Sequence, residues 1–225
     1  MSGSAFLAYC LGAYLFGSVS WALILTQLVA GQDLRKVGSG NLGATNAGRV
    51  LGRKWAVAIY AIDGLKGMLP VLLPRFLFAD PTWSGDDTVL PLAIPAGLAA
   101  ILGHIFPFYL NFKGGKGVAT GSGVVMAVAP LAGLLSFITW YLSLKAFRMV
   151  SLASIIAAAF LPVVESIVGR WEGPHAPWRL AFAATVGGLV IVMHRKNIER
   201  IARGTEPRTK NRSESRAGAE KEANS

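Results

Sequence analysis

Long apolar runs without charge constrain this chain before any other feature. No residue from Phe6 to Val29 carries a charge, and Val118 to Leu144 is again free of charge. Runs of about 17–25 such residues are the length an α-helix needs to cross roughly 30 Å of hydrocarbon. Within a bilayer, only elements that satisfy their own backbone N–H and C=O groups can span. Further apolar segments, carrying only one to three charged residues or none, run from Trp55 to Leu77, Val89 to Phe108, Leu152 to Val168 and Trp178 to Met193. The 225 residues are 53% hydrophobic and 15% charged, with a mean hydropathy of +0.49, too apolar for an ordinary soluble domain. These runs imply an all-α, polytopic integral membrane protein with one transmembrane domain over residues 1–203. From 204 to 225 the chain is polar and charged, which points to a disordered tail with weak attraction to anionic lipid. The first run is long and has no small-residue cleavage site followed by a soluble domain, so it reads as a retained helix. A single cysteine, Cys10, excludes an intrachain disulfide and a cysteine-based zinc site.

The net charge of +10 raises the possibility of a nucleic-acid partner. Much of the basic excess, however, flanks the apolar runs or lies in the tail, as the positive-inside rule places it, so no nucleic acid is expected. Arg35, Lys36, Arg49, Arg53 and Lys54 cluster after the first run and put that segment on the cytoplasmic side, with the N-terminus outside. Ala79 to Thr88 carries Asp80, Asp86 and Asp87 and no base, which fits an external loop. If Val118–Leu144 were one helix, Arg195, Lys196, Arg200 and Arg203 would end outside, against the charge rule. A break at Pro130, which cannot continue a regular helix without losing a hydrogen bond, restores the parity. The two halves, each about 13 residues or roughly 20 Å long, then read as short helices packed within the protein. The count becomes about seven membrane helices, N-terminus out and C-terminus in.

Two polar loops stand between these segments on one face. The first is Val37-Gly38-Ser39-Gly40-Asn41-Leu42-Gly43-Ala44-Thr45-Asn46-Ala47-Gly48-Arg49. Gly38, Gly40 and Gly43 allow positive φ and close approach to a ligand, and successive N–H groups there suit an anion-binding nest. Ser39, Asn41, Thr45 and Asn46 add hydroxyl and amide groups, and Arg49 a forked cation. Neither GxxxxGK[ST] nor a GxGxxG after a strand is present, so nucleotide loops of those types are excluded. The second is Asn111-Phe112-Lys113-Gly114-Gly115-Lys116-Gly117-Val118-Ala119-Thr120, two lysines among glycines before a helix N-terminus that favours anions. Positive-inside anchoring alone explains Lys113 and Lys116 but not the glycines. Asp63 and Lys66, three apart on a membrane helix, read equally as a structural ion pair or as neighbours of a site. His104 reads as a packing residue at a helix end, Glu165 as lying near the outer end of its helix, and His175 as incidental.

The motifs GSGNLGATNAGR and GHIFPFYLNFKGGKGVAT, with Arg148-Met149-Val150-Ser151-Leu152-Ala153-Ser154 and His194-Arg195-Lys196-Asn197-Ile198 after them, resemble the bacterial membrane acyl-phosphate:glycerol-3-phosphate acyltransferase family. The match is collinear from about Leu15 to Glu206. One departure is Met149, where members often carry an aromatic. The resemblance implies seven membrane helices and an active site on the cytoplasmic face of a bacterial inner membrane. It implies transfer of a fatty acyl group from acyl-phosphate to the first hydroxyl of glycerol-3-phosphate, giving lysophosphatidic acid and inorganic phosphate. No cofactor or metal is expected; no carboxylate cluster suggests one.

An acyl-phosphate is an activated mixed anhydride, so the protein need only orient the hydroxyl, neutralise phosphate and accept the leaving group. Ser39, Asn41, Thr45, Asn46 and Arg49 are expected to form one phosphate site. Lys113, Gly114, Gly115, Lys116 and Gly117 are expected to form another, with Ser151 adding a hydroxyl. His194 and Asn197 are candidates for orienting the glycerol hydroxyl, with Ser39 and Lys113 beside them in the catalytic set. A histidine base suits neutral pH, and the phosphate itself is an alternative acceptor. No HxxxxD pattern of soluble-type glycerolipid acyltransferases is present, since His104 is followed by Tyr109 and His194 by Glu199 at that spacing. Expected partners are the two substrates, membrane lipid and a soluble acyl-phosphate synthase that delivers the donor. The alternative class is a membrane transporter or channel for a small organic phosphate.

Overall fold

A computed structural model describes residues 2–74, 90–169 and 176–209. The external-loop reading of Ala79 to Thr88, His175, and the tail from 210 lie outside the described residues. Among the described residues the chain is helical throughout: α1 (Gly3–Ser18), α2 (Trp21–Ala30), α3 (Ala44–Leu51), α4 (Arg53–Leu72), α5 (Leu90–Ile105), α6 (Val118–Val128), α7 (Pro130–Phe147), α8 (Val150–Val168), α9 (Ala176–Met193) and α10 (Arg195–Ala202). Five spans are long and apolar enough to cross a membrane, the first made of α1 and α2 together. A sixth passes if α9 and α10, bent by 58°, count as one.

The first run is not one helix. It breaks at Val19, whose φ −61 and ψ 116 leave the helical region, and α2 restarts at Trp21. The break at Pro130 is present, with Ala129 in a non-helical conformation and Pro130 opening α7. Proline at a helix start loses nothing, because that N–H has no intrahelical partner. The halves are unequal, however. α6 has 11 residues, whereas α7 has 18 and is a full-length candidate span. α7 exposes Leu131, Leu134, Phe137, Ile138 and Leu142 in the manner of a lipid-facing helix.

α6 is the short central helix, packed by α4, α5, α7 and α9. An apolar helix surrounded by protein can be hydrophobic on every face. Val124 and Thr120 are fully buried, and Ile101, Ile105, Leu161, Phe182 and Val186 complete the core around them. Close backbone approach makes these crossings. A Cβ on Gly123 would lie 1.9 Å from Gly64 O, and one on Gly67 would lie 2.2 Å from Thr120 O. α1 meets α5 in the same way, since a Cβ on Gly17 would lie 2.2 Å from Ala100 O. Such small-residue contacts are how membrane helices associate where lipid is as apolar as leucine. Gly12 has no such neighbour. On α8 the buried Glu165 lies 3.7 Å from Arg179 of α9.

Gly123→Val is therefore expected to lower the apparent Tm in detergent, by overpacking worth about 1–3 kcal/mol. Gly12→Val, where a Cβ meets nothing within 4 Å, serves as the control and leaves Tm unchanged.

Candidate active site

Loop one is pinned from beneath. Leu34 and Leu42 are buried with Ala22, Ala47 and Ile59, so the polar stretch between the two leucines is held at the surface. Gly38 and Gly40 have φ of 58° and 67°, the left-handed region that glycine enters without a Cβ penalty. Gly43 departs from the expectation: it is extended at φ −119° and caps α3. Asn46 departs further. Its side chain is buried, accepts from Ser39 N at 3.0 Å and donates to Val37 O at 3.0 Å and Leu34 O at 3.3 Å. The amide shapes the loop from inside rather than facing a ligand. Ser39 and Thr45 are exposed, Asn41 is half-buried, and Arg49 stands exposed in the last turn of α3. Arg35 is held by Asp33 through its Nη2 at 2.8 Å. The Arg35 hydrogen bonds bring the Asp33 carboxyl down to about 2.

Loop two folds back on the end of α5. After a 3₁₀ turn at Phe108–Leu110, Asn111 and Phe112 take positive φ. Gly114 N then donates to Ile105 O and Gly115 N to His104 O, both at 3.0 Å. These two amides cap the α5 carbonyls, so they are not free to bind the phosphate expected at Gly114 and Gly115. Their glycines are required by proximity: a Cβ on Gly114 would lie 2.1 Å from His104 O. Gly117, at φ 77°, caps α6 with no side-chain partner, leaving the helix N-terminus for a ligand. Lys113 is exposed, and Lys116 points inward, half-buried.

The third element is the junction of α9 and α10. His194 lies at the bend and is buried, its Nδ1 2.7 Å from Val190 O. A carbonyl can only accept, so Nδ1 carries the proton and the neutral ring keeps its free lone pair on Nε2. Asn197 and Arg200, three apart on α10, share a face. Asn197 Oδ1 accepts a short hydrogen bond from Lys116 Nζ.

One residue that the motifs did not single out joins these parts. Glu206 Oε1 accepts from Ser151 Oγ at 2.6 Å and from Asn197 Nδ2 at 2.7 Å, and its Oε2 accepts from Arg200 Nε at 2.7 Å. Burial alone raises the Glu206 carboxyl, but the three hydrogen bonds and the Arg200 charge hold it below the ordinary glutamate value. The Ser151 hydroxyl, expected to meet phosphate, is engaged with this carboxylate. Thr209 ties the same segment down: its N–H donates to Arg148 O at 2.7 Å and its carbonyl accepts from Arg148 Nη2 at 2.8 Å. The chain assigned to the tail from Gly204 thus begins with a strap, residues 205–209, bound to α7, α8 and α10. An acid at the end of the collinear match, within a stretch rich in basic residues, was the available signal.

Lys116 collects the charges. Burial brings its ammonium down to about 8, Glu206 opposes that, and Arg200 and Arg49 reinforce it. Arg49 of loop one, Lys116 of loop two and Arg200 of α10 therefore share one electrostatic neighbourhood. Ser39, Asn41, Thr45 and Lys113 line the loops outside this hydrogen-bonded cluster. Next to it, from Val118, an apolar cleft with a cavity volume of about 80 Å³ runs between α4, α6, α7, α8 and α9, lined by Tyr60, Val125, Phe137, Trp140, Leu161 and Val190.

Comparison with known proteins gives the family. The sequence profile described as glycerol-3-phosphate acyltransferase matches residues 7–204. The glycerol-3-phosphate acyltransferase of Aquifex aeolicus is 43% identical over 196 residues, covering 87% of this chain and 95% of the relative. That of Geobacter sulfurreducens is 43% identical over 199 residues, 88% and 94% of the two chains. The crystal structure of PlsY (YgiH), an integral membrane glycerol 3-phosphate acyltransferase, in its glycerol 3-phosphate form superposes with a TM-score of 0.79 at 38% identity. That match covers 92% of this chain and 96% of the other. The lysophosphatidic acid form of that protein gives 0.76 at 36% identity, with the same coverage. A polytopic helical bundle, two glycine-rich loops beside a Lys116–Asn197–Glu206 cluster, and these matches along nearly the whole length have one meaning: the chain belongs to the glycerol-3-phosphate acyltransferase family of integral membrane proteins.

Proposed function

We propose that this acyltransferase takes its acyl group from a fatty acyl-phosphate and gives it to the sn-1 hydroxyl of glycerol-3-phosphate at the cytoplasmic face of the bacterial inner membrane. The observation that carries the reading is the placement of Lys116. Its ammonium bonds Asn197, feels Arg49 and Arg200, and stands two residues from Val118, which lines the apolar cleft. A ligand with an anionic head and a long apolar chain fits that junction. The cationic groups neutralise a phosphate while the chain remains among Val125, Phe137 and Trp140. The two glycine-rich loops carry no aromatic side chain besides Phe112 on which a nucleotide base could stack, which favours acyl-phosphate over acyl-CoA.

In the reaction, the sn-1 oxygen attacks the acyl carbonyl carbon. The bond from that carbon to the phosphate oxygen breaks, and inorganic phosphate departs with the electron pair. The hydroxyl proton has two acceptors at hand, His194 Nε2 and the departing phosphate. Lys116 and the N-terminus of α6 stabilise charge on the leaving group, and Arg49 grips the acceptor's phosphate through its fork. Orientation follows the charge rule: N-terminus out, Ser151 and α10 in. A soluble synthase that makes the acyl-phosphate supplies the donor.

Purified protein supplied with acyl-phosphate and glycerol-3-phosphate is expected to release phosphate and lysophosphatidic acid; efficient turnover with acyl-CoA alone overturns the donor assignment. Arg49→Lys keeps the charge and loses the fork, so the glycerol-3-phosphate KM is expected to rise about tenfold or more, equivalent to roughly 1.4 kcal/mol. A wild-type KM removes Arg49 from the site. A cysteine placed at the exposed Arg203 in a Cys10→Ser background should label from the cytoplasmic side only.

The pH profile follows from Lys116. It is cationic below its pKa of about 8, so activity that needs the cation falls as pH rises through that value. Removing the Glu206 charge removes the influence that raises Lys116, and Glu206→Gln is therefore expected to move the falling limb to lower pH. Lys116→Arg, which stays charged, should abolish that limb; an unchanged limb in both variants assigns it to another group.

A further inference from the structure

Asp63, Lys66 and His104 lie outside the cluster just described, and among the described residues they form a second concentration of buried ionisable groups. Asp63 and Lys66 are each 1% exposed and His104 6%. Lys66 Nζ stands 2.8 Å from Asp63 Oδ1, and His104 Nδ1 lies 4.0 Å from the same oxygen. Charges inside a membrane segment are costly and mark function by default. A mere ion pair is replaceable by apolar side chains of similar volume at little cost to stability.

One end of this trio reaches the break before α2, the helix that leads to loop one, and the other end reaches loop two itself. Lys66 Nζ donates at 2.7 Å to Val19 O, the carbonyl released where the first span breaks. Tyr109 completes that joint, its hydroxyl donating to Ser18 O and accepting from Ser20 N. α2 and loop one depart from this point. At the other end, His104 is the floor of loop two. Its carbonyl accepts Gly115 N. A Cβ on Gly115 would lie 2.0 Å from His104 Nε2, and the next two nearest atoms are also in that ring, at 2.7 and 2.9 Å. Gly115 does not have a positive φ, so the contact alone demands glycine.

We propose that Asp63, Lys66 and His104 are positioning residues that set the two substrate loops relative to one another. Lys66 fixes the joint from which loop one departs, His104 supports loop two, and Asp63 lies between them. The inference rests on the reading of both loops as substrate sites. It does not depend on which acyl donor is used.

The first test is Asp63→Leu/Lys66→Met, which removes both charges together and leaves no uncompensated one. A purely structural pair predicts a folded enzyme with wild-type kinetics. Positioning predicts a folded enzyme whose KM values for glycerol-3-phosphate and for the donor both rise, by about tenfold to a hundredfold as misplacement near 1 Å does. If both values stay within about twofold of wild type, or only one rises, the proposal is overturned. Wild type assayed with the same donor keeps the donor question separate.

Should that variant fail to fold, a second comparison decides. Gly115→Ala should lose activity, and His104→Ala/Gly115→Ala should regain part of it, because the ring that meets the new Cβ is gone. Gly114→Ala should show no such relief from His104→Ala, since its Cβ meets the His104 main-chain oxygen. Absence of relief at Gly115, or equal relief at both glycines, overturns the proposal.

Discussion

A broken helix in a bilayer releases backbone carbonyls that lipid cannot satisfy, and each release must be answered by another donor of the protein, from a side chain or from the backbone. In this chain the answers create the site. The break in the first span exposes Ser18 O and Val19 O, which Tyr109 and Lys66 take up. At the end of α9 the ladder bends and Val190 O receives His194 Nδ1, which fixes the tautomer of the histidine beside the cluster. At the end of α5 the carbonyls of His104 and Ile105 are taken by Gly115 and Gly114. The polar residues that anchor irregular backbone are thus the ones that surround the site, because only there is irregular backbone tolerated at this depth.

The cluster is balanced by one carboxylate against several cations. Glu206 holds Ser151, Asn197 and Arg200 in place with hydrogen bonds to an ionised acceptor, the stronger kind. It also limits how far burial can discharge Lys116. The side chains that remain uncommitted, Lys113 and Arg49 among them, are those at the surface. Groups buried in the network define shape, and groups at its rim are left for a ligand.

Much of this was legible in residues. Apolar runs and Pro130 located the helices and the central break, because hydropathy and proline chemistry are local properties. The two loops, His194 and Asn197 were visible as glycine, lysine and amide motifs set at helix ends. What the motifs did not convey was the direction in which polar groups point. Asn46 and the Gly114 and Gly115 amides have ligand-binding chemistry, yet they turn inward to hold their own loops. The strap at 205–209 was hidden because its composition is that of a solvated tail, and only long-range pairing distinguishes it. The cleft lined by Phe137 and Trp140 was equally silent, since lipid-facing and ligand-facing apolar residues have the same composition. The break at Val19 left only the weak signal of Gly17 and two serines.

The Glu206 clasp also sets the order in which this enzyme becomes an enzyme. Ser151 and Glu206 are 55 residues apart, Arg148 and Thr209 61, and Lys116 and Asn197 81. Chains emerge from synthesis N-terminus first, and distant contacts wait for the later partner. The bundle can be integrated helix by helix while its reactive face stays unassembled. Only when the last residues of the strap arrive do α8, α10 and loop two acquire a common anchor, so the nascent protein is committed to the membrane before it is competent for chemistry.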